Sequence, residues 1–212
     1  MTEVALLTDR WKRGRFLFFR WRYASAIHIK VLLCISMACL TGLAAQLRIQ
    51  LPFTEVPITG QVFAVLLSGV LLGRRLGGMS QIIYLTAGVA GMPWFAGGGS
   101  GLPLGPSGGY IVGFIPAAFL IGHFTDRRIA VRGLLGQTFL MMLAVFVIYA
   151  FGAPWYAFVT GSGLVGTLAR AVLPFFPVDL AKALAAAAIS ACVLPRASYD
   201  GETDRNRFPA KY

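Results

Sequence analysis

The hydrophobic and polar positions of the chain fall into long blocks rather than into the short repeats of amphipathic elements. Apolar runs, each able to cross a hydrocarbon core of roughly 30 Å as a helix, are separated by short segments that carry charges, glycines and prolines. This pattern predicts an all-α fold, a bundle of six membrane-spanning helices within 29–194, with an N-terminal arm at 1–28 and a C-terminal tail at 195–212. The predicted spans are 29–47, 56–73, 76–93, 108–124, 133–151 and 171–194.

The composition agrees with an integral membrane protein. Hydrophobic residues make up 57% of the 212 residues and charged residues 13%, whereas about a quarter of the residues of a soluble domain are charged. The mean hydropathy is +0.72. Because no G-x-x-x-x-G-K-[ST] loop occurs in the sequence, we expect no ATPase in this chain. The three cysteines lie in apolar blocks without metal-ligand spacing, so we also expect no metal site.

The basic residues lie mostly on one side of the predicted bundle. The net charge of +11 arises in the arm, in the segments after the second and fourth spans, and in the tail, whereas only Arg48 and Arg170 fall in the other connecting segments. Cytoplasmic segments are enriched in Lys and Arg, so both termini are predicted to be cytoplasmic. The arm alternates basic with aromatic residues over 10–23, which suits the lipid headgroup region; a docking arm for a partner is the alternative.

The candidate chemistry is a pair of opposite charges in the last apolar block. Asp179 and Lys182 are three residues apart, so a helix places them on one face, where they can serve one site. An ionisable group inside a span costs about 2.5 to 3.5 kcal/mol and usually faces a polar cavity. The glycine- and proline-rich outer segments fall on the same side, which predicts a ligand pocket open to the outside, with outer loops as lids. A buried ion pair that only orients the last span is the alternative.

Several motifs resemble one transporter family. The segment Val56-Pro57-Ile58-Thr59-Gly60-Gln61 resembles the V-P-x-T-x-Q signature of the BioY family, the biotin-specific substrate-binding (S) components of energy-coupling factor (ECF) transporters. The resemblance continues in order over about 38–194. Its further matches are Leu72-Gly73-Arg74-Arg75-Leu76-Gly77, Tyr84 with Gly88, Gly91, Pro93 and Phe95, Gly105-Pro106-Ser107-Gly108-Gly109-Tyr110 with Gly113, and Pro174 to Lys182.

The resemblance implies a high-affinity site for biotin, without catalytic residues or a cofactor, since biotin is then the transported substrate. In the family, the residues that match Asp179 and Lys182 contact the ureido ring of the substrate. The chemistry agrees, since a ureido group offers two N–H donors and one carbonyl acceptor. The remaining candidates are neutral hydrogen-bonding residues and aromatic residues that would pack the ring system and chain. They are Gln61 and Thr59 for the first kind, and Tyr84, Phe95 and Tyr110 for the second, with core or belt packing as the alternative for each aromatic.

The group that would hold the biotin carboxylate stays open. The loop 96–101 reads AGGGSG and lacks the polar side chain that relatives can place in this region. Backbone N–H groups, Ser100 or Ser107 could substitute for it. Arg48 and Arg170 are further candidates, with solvated loop positions as the alternative for both.

The resemblance also implies partners and a location. Family members work with a transmembrane T component and two cytoplasmic ATPases, and transport without dedicated partners is the alternative. Small residues on the first span commonly face the T component, and Ala38 and Gly42 match them here. We therefore expect a multi-pass protein of a bacterial plasma membrane that binds biotin and lipid but no nucleic acid.

Two other functions are compatible with parts of the sequence. One is an S component for another vitamin or a biotin-like solute. The other is an intramembrane serine protease of the rhomboid kind, because Gly98-Gly99-Ser100-Gly101 fits G-x-S-G. Such an enzyme needs a histidine within hydrogen-bond reach of the serine. His28 and His123 are both predicted at the cytoplasmic side, away from Ser100.

Overall fold

The chain folds into a bundle of helices, described over residues 3–199 and 202–208 by a computed structural model. Five of the helices in these residues, α2, α3, α4, α5 and α7, are long and apolar enough to cross a membrane. A two-stranded antiparallel hairpin connects α2 to α3. The elements are α1 (Glu3–Ala24), α2 (Ile27–Gln46), β1 (Arg48–Ile49), β2 (Ile58–Thr59), α3 (Gln61–Val89), α4 (Gly108–Arg127), a 3₁₀ turn (Ile129–Arg132), α5 (Leu134–Thr160), α6 (Leu164–Thr167), a π turn (Leu168–Val172), α7 (Phe176–Val193) and a 3₁₀ turn (Arg205–Arg207).

Helix α3 contains a break that reverses the chain. Gly73 has φ +78° and ψ −175°, a conformation that essentially only glycine adopts. Beyond it, Gly77 packs back onto Gly69, since a β-carbon added at Gly77 would lie 3.0 Å from the Gly69 Cα. At the far end, Gln61 Nε2 donates to the Tyr84 hydroxyl over 2.7 Å. The two arms of α3 are therefore antiparallel neighbours, and they correspond to the predicted spans 56–73 and 76–93.

The helices pack in an order that follows the chain. Helix α2 packs against α3, α3 against α4, and α4 against α5, while α7 packs on α5 and α3. Small residues permit the close approaches: a β-carbon at Gly69 would lie 2.5 Å from the Ala118 carbonyl oxygen, and one at Gly113 would lie 3.1 Å from the Ile148 Cα. Close backbone contact of this kind drives helix association in lipid.

Helix α5 extends further than the sequence predicts. The predicted span 133–151 continues as helix to Thr160, although Pro154 lies inside it. Contacts beyond the predicted end hold this extension, because the Trp155 indole N–H donates to the Gly105 carbonyl over 2.9 Å and Gly152 lies directly against the Tyr110 ring. The segment 152–170, which the predicted spans leave as a connection, is thus largely helical.

The N-terminal arm is a helix that packs across one end of the bundle. Phe19 of α1 is fully buried and packs on Tyr199, with ring centroids 5.7 Å apart. The Arg15 guanidinium donates to the Cys192 carbonyl over 3.0 Å. Arg22 forms a 2.9 Å ion pair with Asp126, next to the Gly73 turn. The exposed aromatic residues of α1 are Trp11, Phe18, Trp21 and Tyr23.

The C-terminal tail folds onto the same end. Arg132 is fully buried and forms a 2.6 Å ion pair with Glu202, which is also buried. Asp204 accepts the backbone N–H groups of Ile129 and Ala130, each over 2.9 Å. We call α1 together with residues 195–199 and 202–208 the terminal clasp. Lys211, which contributes to the predicted basic tail, lies outside the described residues.

Candidate functional site

A cavity of about 300 Å³ opens at the end of the bundle opposite the Gly73 turn. Small-molecule sites measure roughly 300 to 1,000 Å³, so this volume suits a compact ligand. Its walls come from the β1–β2 hairpin, the start of α3, the segment between α3 and α4, and the ends of α4, α5 and α7 at this side of the bundle. Six of the seven candidates for the ring and chain of the ligand line it: Thr59, Gln61, Phe95, Tyr110, Asp179 and Lys182. Of the candidates for the carboxylate, Arg48, Ser100 and Ser107 line it and Arg170 does not.

The charged pair lies at the start of α7. Asp179 is in the first helical turn, its backbone N–H bonded to the Phe175 carbonyl over 2.8 Å, where the helix dipole favours a carboxylate. The Lys182 ammonium donates to Asp179 Oδ1 over 2.8 Å, and both side chains are largely shielded, at 17% exposure for Lys182 and 6% for Asp179. The remaining lone pairs and N–H groups of the pair can bind a group that offers both donors and an acceptor.

Tyr149 is a member of this site that the sequence did not identify. Its hydroxyl donates to Asp179 Oδ2 over 2.7 Å, so each oxygen of the carboxylate accepts one protein hydrogen bond. Tyr149 itself lines the cavity from α5. A tyrosine within an apolar span is compatible with ordinary core packing, so the sequence carried no signal that separated Tyr149 from a core residue.

The neutral polar candidates form one directed chain of hydrogen bonds. The Thr59 hydroxyl donates to Gln61 Oε1 over 2.8 Å, and Gln61 Nε2 donates to the Tyr84 hydroxyl. The Tyr84 hydroxyl in turn donates to the Trp94 carbonyl over 3.3 Å. Thr59 and Gln61 line the cavity, whereas Tyr84 does not. Tyr84 is fully buried behind Gln61. Its position therefore favours a role in orienting Gln61 rather than the direct ligand contact that we expected.

The other two aromatic candidates line the cavity. Phe95 packs edge-on against Tyr84, with ring centroids 5.5 Å apart. The Tyr110 hydroxyl donates to the Ala171 carbonyl, which leaves its ring, 6.5 Å from that of Tyr149 and nearly perpendicular to it, as the surface available to a ligand. The cavity therefore combines a polar base with apolar rings.

The segment between β1 and β2 is tied to α5 beside the cavity. The Tyr156 hydroxyl donates to Glu55 Oε2 over 2.6 Å, and this hydrogen bond holds the pKa of Glu55 below its ordinary value of 4.5. Tyr156 is fully buried, so it packs inside the protein rather than at a lipid interface. The contact links two of the connecting segments that we expected to act as lids, 48–55 and 152–170.

The proposed partner-facing pair lies inside the protein. Ala38 is fully buried, and Gly42 packs against Trp94, since a β-carbon there would lie 3.1 Å from the Trp94 Cβ. The outward face of α2 instead carries larger apolar side chains. They include Leu32, Ile35, Leu40 and Leu43.

The histidines lie away from the cavity. His123 Nδ1 is 3.4 Å from the Arg74 guanidinium beside the Gly73 turn, and His28 is exposed at the start of α2. Ser100 lines the cavity at the other end of the bundle. The geometry gives Ser100 no histidine base, and nothing in it favours the protease alternative.

Comparisons with known proteins agree with the resemblance in the sequence. A family model described as "BioY family" matches residues 20–198. A "Probable biotin transporter BioY" from Methanothermobacter thermautotrophicus is 43% identical over 147 residues, covering 65% of this chain and 94% of that protein. A "Biotin transporter BioY" from Rhizobium etli is 35% identical over 177 residues, covering 77% of this chain and 91% of that protein.

A solved structure shares the fold. It is a crystal structure of "the S-component for biotin from an ECF-type ABC transporter". The TM-score is 0.72 at 29% sequence identity, and the match covers 79% of this chain and 93% of that one. The part of α1 before residue 20 and the tail after residue 198 extend beyond the family match.

Proposed function

Because the chain belongs to the BioY family, we propose that it is a membrane component that binds biotin with high affinity and mediates its uptake. It acts as the substrate-capture subunit of an ECF-type transporter. The observation that carries this proposal is the cavity that combines the Asp179–Lys182 pair with aromatic walls. Relatives named biotin transporters and a biotin S component of the same fold support it.

In this proposal the ureido ring binds at the base of the cavity. Its N–H groups donate to the Asp179 carboxylate and its carbonyl accepts from the Lys182 ammonium. Each of these hydrogen bonds involves a charged group, and such bonds are about twice as strong as neutral ones. Gln61 keeps one free N–H for the ligand, because Tyr84 and Thr59 occupy its other groups. Phe95 and Tyr110 pack the ring system.

The test of this function is a comparison of ligands on the purified protein. We expect labelled biotin to bind tightly, and unlabelled thiamine, riboflavin or pantothenate in large excess to leave that binding unchanged. A well-folded protein that binds one of the other vitamins in preference to biotin would identify it as a different S component.

We place six crossings in the membrane, with both termini in the cytoplasm of a bacterial cell. The reversal at Gly73 supports two crossings within α3. The Gly73 turn lies at the same end as the basic residues of the terminal clasp, which the positive-inside rule assigns to the cytoplasm. The domain organisation is then a membrane bundle of 29–194, with the described parts of both flanking segments folded on its cytoplasmic end.

Cysteine labelling tests this topology. The three native cysteines, which form no disulfide, are replaced, and single cysteines are introduced at Ser100 and at Thr203. A membrane-impermeant maleimide is expected to label the first in intact cells and the second only after permeabilisation. Labelling of both positions in intact cells would contradict the assignment.

The partners in this proposal are a transmembrane T component and two cytoplasmic ATPases. The solved relative, an S-component of an ECF-type ABC transporter, supports them, as does the lack of a nucleotide-binding loop in the sequence. We place the T contact on the exposed apolar face of α2. Leu40→Gln is expected to reduce recovery of a co-expressed complex, whereas Phe139→Gln, on an exposed part of α5, is expected to leave it unchanged. Equal effects of both changes would argue against this face.

A further inference from the structure

We propose that Arg48 forms a carboxylate subsite at the mouth of the cavity, so that the protein recognises the anionic end of its ligand as well as the neutral ring. This inference rests on the proposed binding of biotin. It assigns a role to a residue outside the charged pair, and it answers which group holds the carboxylate in a chain whose loop 96–101 carries no basic or amide side chain.

Among the residues that the structure describes, Arg48 is the cation of the cavity that has no protein partner. Two basic residues, Arg48 and Lys182, line the cavity among the described residues. Lys182 is paired with Asp179. Arg48, in contrast, makes no side-chain hydrogen bond, ion pair or ring contact within 3–199 and 202–208. A guanidinium left unpaired beside a ligand cavity is available to an anionic ligand group.

The surrounding backbone holds Arg48 at this position. Arg48 pairs with Thr59 across the β1–β2 hairpin, and Thr59 lines the same cavity. The guanidinium lies beside Gly97, where an added β-carbon would collide with Nη1. Gly97 has φ +75°, which also disfavours any other residue. The glycine-rich loop thus makes the space that the Arg48 side chain occupies.

The exposure of the charged groups that line the cavity fits the arrangement of groups in biotin, because Asp179 and Lys182 are shielded whereas Arg48 is exposed. Asp179 and Lys182 bind the neutral polar ring, aromatic residues pack the apolar middle, and Arg48 stands at the outer segments with five N–H donors suited to a carboxylate. Glu55 also lines the mouth, but its carboxylate already accepts the Tyr156 hydroxyl. Arg170, the other outer cation, does not line the cavity.

The experiment compares biotin with biotinamide, which keeps the ring and chain but lacks the negative charge. Calorimetric titration of the purified protein is expected to show biotin binding at least about tenfold more tightly than biotinamide, the size of a charge-assisted hydrogen bond. Arg48→Gln is expected to weaken the binding of biotin by that factor and the binding of biotinamide by less than about twofold. Arg170→Gln removes the same charge from the same side and is expected to preserve the preference for biotin.

Three results would overturn the subsite. They are equal binding of biotin and biotinamide by the parent protein, an equal loss for both ligands in Arg48→Gln, and a preference lost in Arg170→Gln but kept in Arg48→Gln. The first of these needs no variant, so the test stands even if Arg48→Gln fails to fold. A parent protein that binds neither ligand would instead refute the function on which the subsite rests.

Discussion

At the scale of single residues, the charged pair depends on a neighbour that fixes its geometry. Asp179 accepts one hydrogen bond on each oxygen, from Lys182 and from Tyr149. The two donors hold the carboxylate in one orientation before a ligand arrives. A group held in place in this way loses less conformational entropy when it binds.

Removing the tyrosine hydroxyl is therefore expected to weaken binding without removing the site. Tyr149→Phe leaves Asp179 Oδ2 without its protein donor, and we expect biotin to bind about tenfold more weakly, which corresponds to roughly 1.4 kcal/mol. Isothermal titration measures the effect. Tyr23→Phe, at an exposed position of α1, is the control. An unchanged affinity in Tyr149→Phe would show that the hydroxyl contributes nothing to the site.

The sequence revealed the charged members of the site but not all of the neutral ones. Asp179 and Lys182 stood out because charges are costly inside an apolar span. Tyr149 did not, because tyrosine packs in cores and at membrane interfaces alike. Tyr84 was expected at the ligand but lies behind Gln61, and spacing along a helix cannot tell a residue that lines a cavity from one that supports it. The roles of the site residues in binding remain predictions.

At the scale of elements, the break in α3 depends on one glycine. A side chain at Gly73 would be strained at φ +78° and would collide with the Asp126 carboxylate. We expect Gly73→Ala to reduce the free energy of unfolding by about 2 kcal/mol or more and to lower the thermal unfolding temperature in detergent. Gly14→Ala is the matched control, because an added methyl group meets no atom within 4 Å there. A Gly73→Ala protein as stable as the control would contradict the role of the break.

The terminal clasp is expected to weaken at acid pH. Burial would raise the pKa of Asp204, but hydrogen bonds from the backbone N–H groups of Ile129 and Ala130 outweigh it and hold that pKa below its ordinary 3.8. A carboxyl with a depressed pKa stabilises the fold above its ordinary pKa, and this contribution is lost as the pH falls through the pKa in the fold.

Thermal unfolding against pH tests this contribution. The parent protein is expected to lose stability as the pH falls from neutral to about 3, and Asp204→Asn is expected to be less stable than the parent at neutral pH and to lose less on acidification. Identical pH profiles of the two proteins would mean that Asp204 does not fasten the tail. The sequence did not predict this clasp, since a basic aromatic arm is equally compatible with a lipid surface.

At the scale of the whole molecule, hydropathy predicted a helical membrane protein with a site at one end. Long apolar blocks leave few alternatives to helices in a membrane, and the basic segments fall at the end of the bundle opposite the cavity. The ends of the elements were less predictable. Helix α5 runs past 151 because Trp155 contacts a residue far away in sequence, and local patterns carry no information about such contacts.

Equilibrium binding of labelled biotin to the purified protein, and to its Asp179→Asn and Lys182→Met variants, tests the proposed site most directly. We expect tight binding by the parent protein and a loss of about 2 kcal/mol or more of binding free energy in each variant, with the thermal unfolding temperature retained. A parent protein that folds but does not bind biotin would contradict the proposed function. Variants that fold poorly but whose folded fraction binds biotin normally would show that the charged pair only orients α7.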